Sequence, residues 1–186
     1  MNNQLWLELI KKGDQTAFRE LVEHYRPLVY RTVARFVTNS DDCSDLTQEV
    51  FIEVWRSINK FRGDSSVSTW IYRITVNKAL NSVQRAKRRN WYSGLLRVPD
   101  YREPETRADE TATGLLRSES AQLINQALDT LPGNQRAAFV LSQAEGLSQK
   151  EVAAVMELSE KAVESLIHRA RTNLRKKLNH YYSLSN

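Results

Sequence analysis

An all-α chain of two small helical domains, joined by a flexible linker and ending in a helix-turn-helix, is the fold this 186-residue sequence predicts. Three observations predict it. Glycine and proline are scarce, six and four residues, and no sustained alternation of Val, Ile and Thr marks out strands. Apolar residues recur instead at three- and four-residue spacing through both halves of the chain. Between those halves, residues 93–117 hold two prolines, two glycines and mixed charge without periodicity, the composition of a linker. The expected boundaries are a first domain at 1–92, the linker at 93–117 and a second domain at 118–186.

The elements follow in order. Leu5, Trp6, Leu9 and Ile10 have helical spacing before Gly13, and Asp14 suits the N-cap of a second helix with Phe18, Leu21, Val22 and Tyr25 on its apolar face. A third helix is expected after Pro27, presenting Val29, Val33, Phe36 and Val37. The polar run 38–42 then turns the chain. From about Asp42, Leu46, Val50, Val54, Trp55 and Ile58 form a stripe, with Asp45, Gln48, Glu49 and Arg56 on the other side. Residues 61–66 read as a loop. A longer helix from about Ser68 to Arg89 has apolar positions that include Ile71, Ile74, Val76, Leu80 and Val83, while Asn77, Asn81, Gln84, Arg85 and Arg88 share one polar face. Trp70 is expected to pack the domain.

After the linker, whose 25 or so residues give an r.m.s. span of about 25–30 Å if flexible, Leu123, Ala127, Leu128 and Leu131 are expected to line a helix. Pro132 fits the first turn of the next, which carries Phe139, Val140 and Leu141 and stops at Gly146. Ser148 and Glu151 form a capping box opening a short helix to Met156. Ala153 and Ala154 are small enough for a second helix to cross closely. Glu157 and Leu158 make the turn, and Ser159 caps a helix to about Leu178 that buries Val163, Ile167, Ala170, Leu174 and Leu178. Glu160, Lys161, Glu164, His168, Arg171 and Arg175 lie on its other face.

Charge sharpens the functional reading. Residues 84–92 carry four basic groups and no acid, and 161–177 carry six against Glu164 alone. Together they hold +9 of a chain total of +5, leaving the remainder near −4, as expected where two surfaces meet a polyanion. In a helix-turn-helix the second helix enters the major groove, its early residues at base edges and later basic ones on phosphates. Ser159, Lys161, Glu164 and Ser165 are chemically varied enough to discriminate bases. His168, Arg169, Arg171 and Arg175 follow, the arginines supplying sequence-independent charge.

Other classes are disfavoured. No apolar run approaches the roughly 20 residues of a membrane span, and the N-terminus lacks a basic-then-apolar signal, so a cytoplasmic protein without membrane insertion is expected. The single cysteine, Cys43, forms no internal disulfide and reads as a small residue at a helix edge. His24, His168 and His180 offer no zinc spacing, and neither a glycine-rich phosphate loop nor a nucleophile with a base partner is apparent. No cofactor, metal or enzymatic activity is expected.

The first domain carries a more specific signal. Asp45-Leu46-Thr47-Gln48-Glu49-Val50-Phe51 with Trp55 and Phe61-Arg62-Gly63 resembles the core-polymerase-binding segment of bacterial sigma factors of the extracytoplasmic-function group. Ser68-Thr69-Trp70-Ile71-Tyr72-Arg73-Ile74, Asn77 and the basic run after it are similar to that family's promoter-melting segment. Leu131-Pro132, Arg136, Glu145-Gly146-Leu147-Ser148, Glu151-Val152-Ala153 and His168-Arg169-Ala170-Arg171 are similar to its promoter-binding C-terminal domain. The match runs in order through nearly the whole chain. It implies that Asp45, Gln48, Glu49 and Glu53 face a basic element of core RNA polymerase. It further implies that Asn77, Lys78, Asn81, Arg85 and Arg88 contact the opened downstream promoter element, and that residues 62–66 lie near a flipped base. Ser159, Lys161, Glu164, Ser165, His168, Arg169, Arg171 and Arg175 would hold the upstream element. The resemblance also implies an inhibitory anti-sigma partner, often membrane-anchored.

The pattern departs at Glu157, where the family commonly has Gly, and at Lys161, Glu164 and Leu166, where it often has Gly, Lys and Arg. Glu164 can accept from cytosine N4, and Leu166 can make only apolar contact. Base preferences therefore do not carry over from the family. A stand-alone helix-turn-helix regulator, with a first domain that dimerises or senses a ligand, is the alternative reading of the residues.

Overall fold

The computed structural model describes residues 3–95 and 123–184, with side chains at 6–89, 91 and 123–179. Among the described residues every regular element is helical. The chain divides at Gln84 and Arg85 into two compact units.

In the first unit α1 (Asn3–Lys11), α2 (Gln15–Val33), α3 (Ser40–Ser57) and a 3-10 turn (Ile58–Lys60) precede the long α4 (Val67–Leu95), which belongs to this unit as far as Gln84. Asp14 caps α2 as its sequence position predicts, accepting from the amides of Thr16 at 2.8 Å and Ala17 at 3.1 Å. Asn39 caps α3 in the same way, so that helix begins at Ser40 rather than near Asp42. Leu21, Val29, Val33, Val50, Val54 and Ile71 are fully enclosed and form the centre of the core.

Two expectations about this unit are corrected. Pro27 does not start a new helix but sits inside α2. Its missing N–H and ring clash cost about 3 kcal/mol in a helix interior. Burying Val29 and Val33 returns about 1.5–3 kcal/mol each. Because Leu21 and Tyr25 before the proline and Val29, Thr32 and Val33 after it belong to one buried face, the continuous helix wins. Trp55, expected in the buried stripe of α3, is instead 40% exposed, with its ring edge on Phe18 at 4.7 Å, and Phe51 takes the core position. Buried threonines also enter the core. Thr32, Thr47 and Thr75 each donate to the carbonyl four residues back, so their hydroxyls are satisfied without a tertiary partner.

In the second unit, α5 covers described residues 123–129, followed by α6 (Gly133–Phe139), a π turn (Val140–Ala144), α7 (Gln149–Met156) and α8 (Glu160–Leu184). Ala127, Leu128, Leu131, Ala170 and Leu174 make a core flanked by Phe139 and Leu178. Leu123, expected on the buried side, is exposed. Pro132 stands one residue earlier than expected, at the N-cap, where its carbonyl accepts from the Arg136 amide at 3.0 Å. Gly146 ends the π turn with φ +73°. Only Ala153 of the small pair is buried, Ala154 being exposed, and α8 runs six residues beyond Leu178.

Among the described residues of this unit, Arg136 is the one charged residue that is buried. Burial pushes its guanidinium pKa down, and the opposing charge and hydrogen bond of Asp129 push it back up. The pair ties the last residue of α5 to α6. Asn173 Nδ2 donates to Gln135 Oε1 at 2.9 Å and links α8 to α6.

α4 continues to Leu95, so the first three residues of the expected linker are helical. Residues 96–117 of that linker, and the expected start of the second domain at 118, lie outside the described residues. No helix among the described residues is long and apolar enough to cross a membrane.

Candidate polymerase and nucleic-acid interface

Three exposed surfaces carry the residues singled out by the sequence. The first is the outer face of α3. Leu46, Val50 and Val54 anchor the helix in the core, which turns Asp45, Gln48 and Glu49 to solvent and leaves Glu53 half-buried. Ile52, 49% exposed, stands on that same face beside Trp55. Two large apolar side chains thus stand among the polar ones of this face. Sequence reasoning misses Ile52. The available signal is its place seven residues after Asp45 and three after Glu49, which is the polar face of the helix.

The second surface is the polar face of α4. Asn77, Asn81, Arg85 and Arg88 are exposed, whereas Lys78 is half-buried. Lys78 Nζ lies 3.5 Å from Glu53 Oε2 and 4.0 Å from Glu49 Oε2, so it reaches toward α3 rather than away from it. The loop before α4 is held at both ends. Lys11 Nζ donates to the Phe61 carbonyl at 2.9 Å, and Ser66 Oγ accepts from the Thr69 amide at 3.0 Å as a helix cap. Trp70 packs its ring on Phe61 at 4.9 Å, as expected of a residue serving the domain.

The third surface is α8. Val163, Ile167, Ala170 and Leu174 are buried, and the same helical period exposes Lys161, Glu164, Ser165, His168, Arg169, Arg171 and Arg175. Ser159, exposed, accepts from the Ala162 amide at 3.2 Å. The helix before it is fixed by a complete capping box: Glu151 Oε2 accepts from the Ser148 hydroxyl at 2.7 Å and its amide at 2.8 Å. Those bonds, the hydroxyl's first, hold the Glu151 carboxyl below the usual carboxylate range. The turn between the helices is left-handed at Glu157, φ 56° and ψ 42°, and the Leu158 amide closes back on the Ala153 carbonyl at 3.0 Å. That bond, six residues to one, is the Schellman ending usually built with glycine. Glutamate thus adopts the family's turn geometry rather than avoiding it.

Cys43 takes no part in these surfaces. Its thiol donates to the Val37 carbonyl at 3.1 Å, and burial, with the Asp42 charge adding, pushes its pKa up to about 11. It packs as a neutral thiol. Among the described residues no cluster of His, Cys, Asp and Glu is suited to hold a metal ion.

Comparison with known proteins places both units. The model for Sigma-70 region 2 matches residues 21–89, and that for Sigma-70 region 4 matches residues 121–174. The RNA polymerase sigma-H factor of Pseudomonas aeruginosa is 33% identical over 187 residues, 95% of this chain and 93% of its own. The ECF RNA polymerase sigma-E factor of Escherichia coli K12 is 36% identical over 183 residues, 92% of this chain and 91% of its own. The chain belongs to the extracytoplasmic-function group of sigma-70 factors. Among solved structures, CnrH in complex with the cytosolic domain of CnrY aligns with a TM-score of 0.69 and 26% identity, over 96% of this chain and 97% of that one. RpoE of Bartonella quintana, solved with the anti-sigma factor NepR, shares the fold at a TM-score of 0.62 and 20% identity, over 87% of this chain and 96% of that one.

As a sigma factor the chain directs promoter-specific initiation of transcription and is not an enzyme. The region 2 match takes in α3 and most of α4, and the region 4 match takes in the capped helix pair and α8 as far as Leu174. Every residue named on the three surfaces of this sigma factor except Arg175, one position beyond the region 4 match, therefore falls within a matched segment.

Proposed function

We propose that this sigma factor works in three regions: 1–92 binds core RNA polymerase and the downstream promoter element, 93–117 tethers, and 118–186 binds the upstream element. Asp45, Gln48, Glu49 and Glu53 of α3 meet a cationic surface of core polymerase. Asn77, Lys78, Asn81, Arg85 and Arg88 of α4 hold the opened downstream strand, where asparagine amides hydrogen-bond an unstacked base and arginines pair with phosphate. Ser159, Lys161, Glu164 and Ser165 read base edges in the upstream duplex, while His168, Arg169, Arg171 and Arg175 grip its backbone. Polymerase performs the covalent chemistry; the sigma factor contributes position and strand separation. Its working place is the cytoplasm, where the polymerase and promoter are. An inhibitory anti-sigma partner, as the family resemblance implies, completes the set of partners.

The observation that carries this reading is the division of labour on α8. One helix buries four apolar residues in its own unit and holds the seven polar ones named above outward behind a hydrogen-bonded turn. A helix so presented suits a groove, and the acidic α3 face, which would be repelled by phosphate, suits polymerase instead.

Run-off transcription with purified core enzyme tests it. Promoters found by sequencing the transcripts that rise on overexpression should yield discrete products only when this protein is added. The protein alone should hold the same duplexes weakly. Tight duplex binding without polymerase, and no promoter-dependent transcript with it, would favour a stand-alone regulator and overturn the sigma reading of these surfaces.

A further inference from the structure

Lys78 stands at the junction of two surfaces given to different partners. Thr75 and Ala79, which bracket it, are fully buried, while Asn77 and Asn81 beside it are exposed. Its side chain therefore leaves α4 at the edge of the polar face. From there the ammonium bridges Glu53 at 3.5 Å and Glu49 at 4.0 Å, two carboxylates one helical turn apart on α3. Its side chain is 26% exposed against 49% for Glu49 and 40% for Glu53. Two of the three carboxylates offered to polymerase are thus already engaged, and the cation engaging them is one offered to DNA.

Resting on the functional reading above, we infer that Lys78 is a shared ion-pair partner that couples polymerase docking to promoter binding. In the free protein it neutralises Glu49 and Glu53 and is withheld from phosphate. A cation of the polymerase surface that docks on those carboxylates displaces the ammonium, which then turns to the promoter backbone. Lysine suits the exchange, being a compact charge on a flexible stem that holds no fixed fork geometry. Partly exposed pairs of this kind shift an equilibrium by only about 1.5- to 5-fold. The lock is accordingly weak enough for a docking partner to open. Linkage makes the coupling reciprocal: promoter DNA that captures Lys78 frees the carboxylates and tightens the hold on polymerase by the same factor.

The test compares the full-length wild type, Lys78→Met and Lys78→Arg by binding to purified core polymerase at low salt, and by holoenzyme binding to a promoter identified by run-off transcription. Lys78→Met should bind core about two- to fivefold tighter, because nothing competes for Glu49 and Glu53. Its holoenzyme should bind promoter more weakly, with a log–log salt slope smaller by about 0.7–0.9, the share of a single phosphate. Lys78→Arg keeps the charge and should stay near wild type in core binding. A residue that merely staples α4 to α3 would instead lower the unfolding midpoint and weaken both interactions on removal. That result, or unchanged core affinity in Lys78→Met beside a wild type that binds core, overturns the coupling while leaving the sigma reading intact. Failure of the wild type itself to bind core overturns both.

Discussion

Ser148 and Glu157 bracket the short helix α7, and the backbone turns at Glu157 into α8. Ser148→Ala removes the acceptor for the Glu151 amide and the hydroxyl that Glu151 holds, and should cost about 1 kcal/mol of stability, read from urea unfolding. The same box is acid-sensitive. Because Glu151 has a lower pKa folded than unfolded, its contribution is complete above the ordinary carboxylate pKa and fades as the pH falls through the depressed folded value. Glu151→Gln should therefore narrow its stability deficit against wild type on acidification; a deficit constant from about pH 7 to about pH 3 would show that the ionised carboxylate contributes nothing. Glu157 poses the opposite case. A side chain at φ 56° is strained by about 1 kcal/mol, so Glu157→Gly should raise the thermal midpoint of the full chain, and a lowered midpoint would mean that the glutamate side chain outweighs the strain.

At the scale of elements, the outcome turns on whether local or tertiary forces are larger. Caps are legible in sequence because they act within three residues: Asp14, Ser148 and Ser159 bond to the amides their spacing predicts. The buried sides of α3 and α8 are legible in most positions because one face of each is buried. Pro27 is not, since its local penalty is visible in the sequence and the packing of the valines beyond it is not. Trp55 is not, because hydropathy marks a large apolar residue as core even where the fold leaves it exposed. Nor can the Lys78 bridge be foreseen, as it joins residues 25 and 29 positions apart whose approach depends on how two helices meet. The proline offers a test at this scale. Pro27 is exposed, so Pro27→Ala restores an amide to α2 without disturbing the core, and should stabilise the protein by about 1–3 kcal/mol. Equal or reduced stability in urea unfolding would mean that α2 already accommodates the ring without that penalty.

For the whole molecule, the net charge of +5 conceals an uneven distribution, and the proposed function divides affinity and specificity among different residues. Each phosphate bound contributes about 0.9 to the log–log salt slope, so a fourfold rise in salt weakens binding about 3.5-fold per phosphate. Arg171→Ala and Arg175→Ala, both exposed and so removable without opening the core, should each lower that slope by about 0.9 and weaken holoenzyme binding on every promoter alike. A slope unchanged in either variant rejects a phosphate role for that arginine. Lys161 and Glu164 should behave differently. Glu164 repels phosphate, so its presence on the outward face near the start of α8 makes sense only if a base edge, such as cytosine N4, offsets the repulsion. Glu164→Ala should then bind random duplex slightly better while losing preference at one upstream position, measured by selection from a randomised promoter library. Uniform weakening across the library would place Glu164 in the scaffold, and the discriminating interactions would have to come from its neighbours on the same helix.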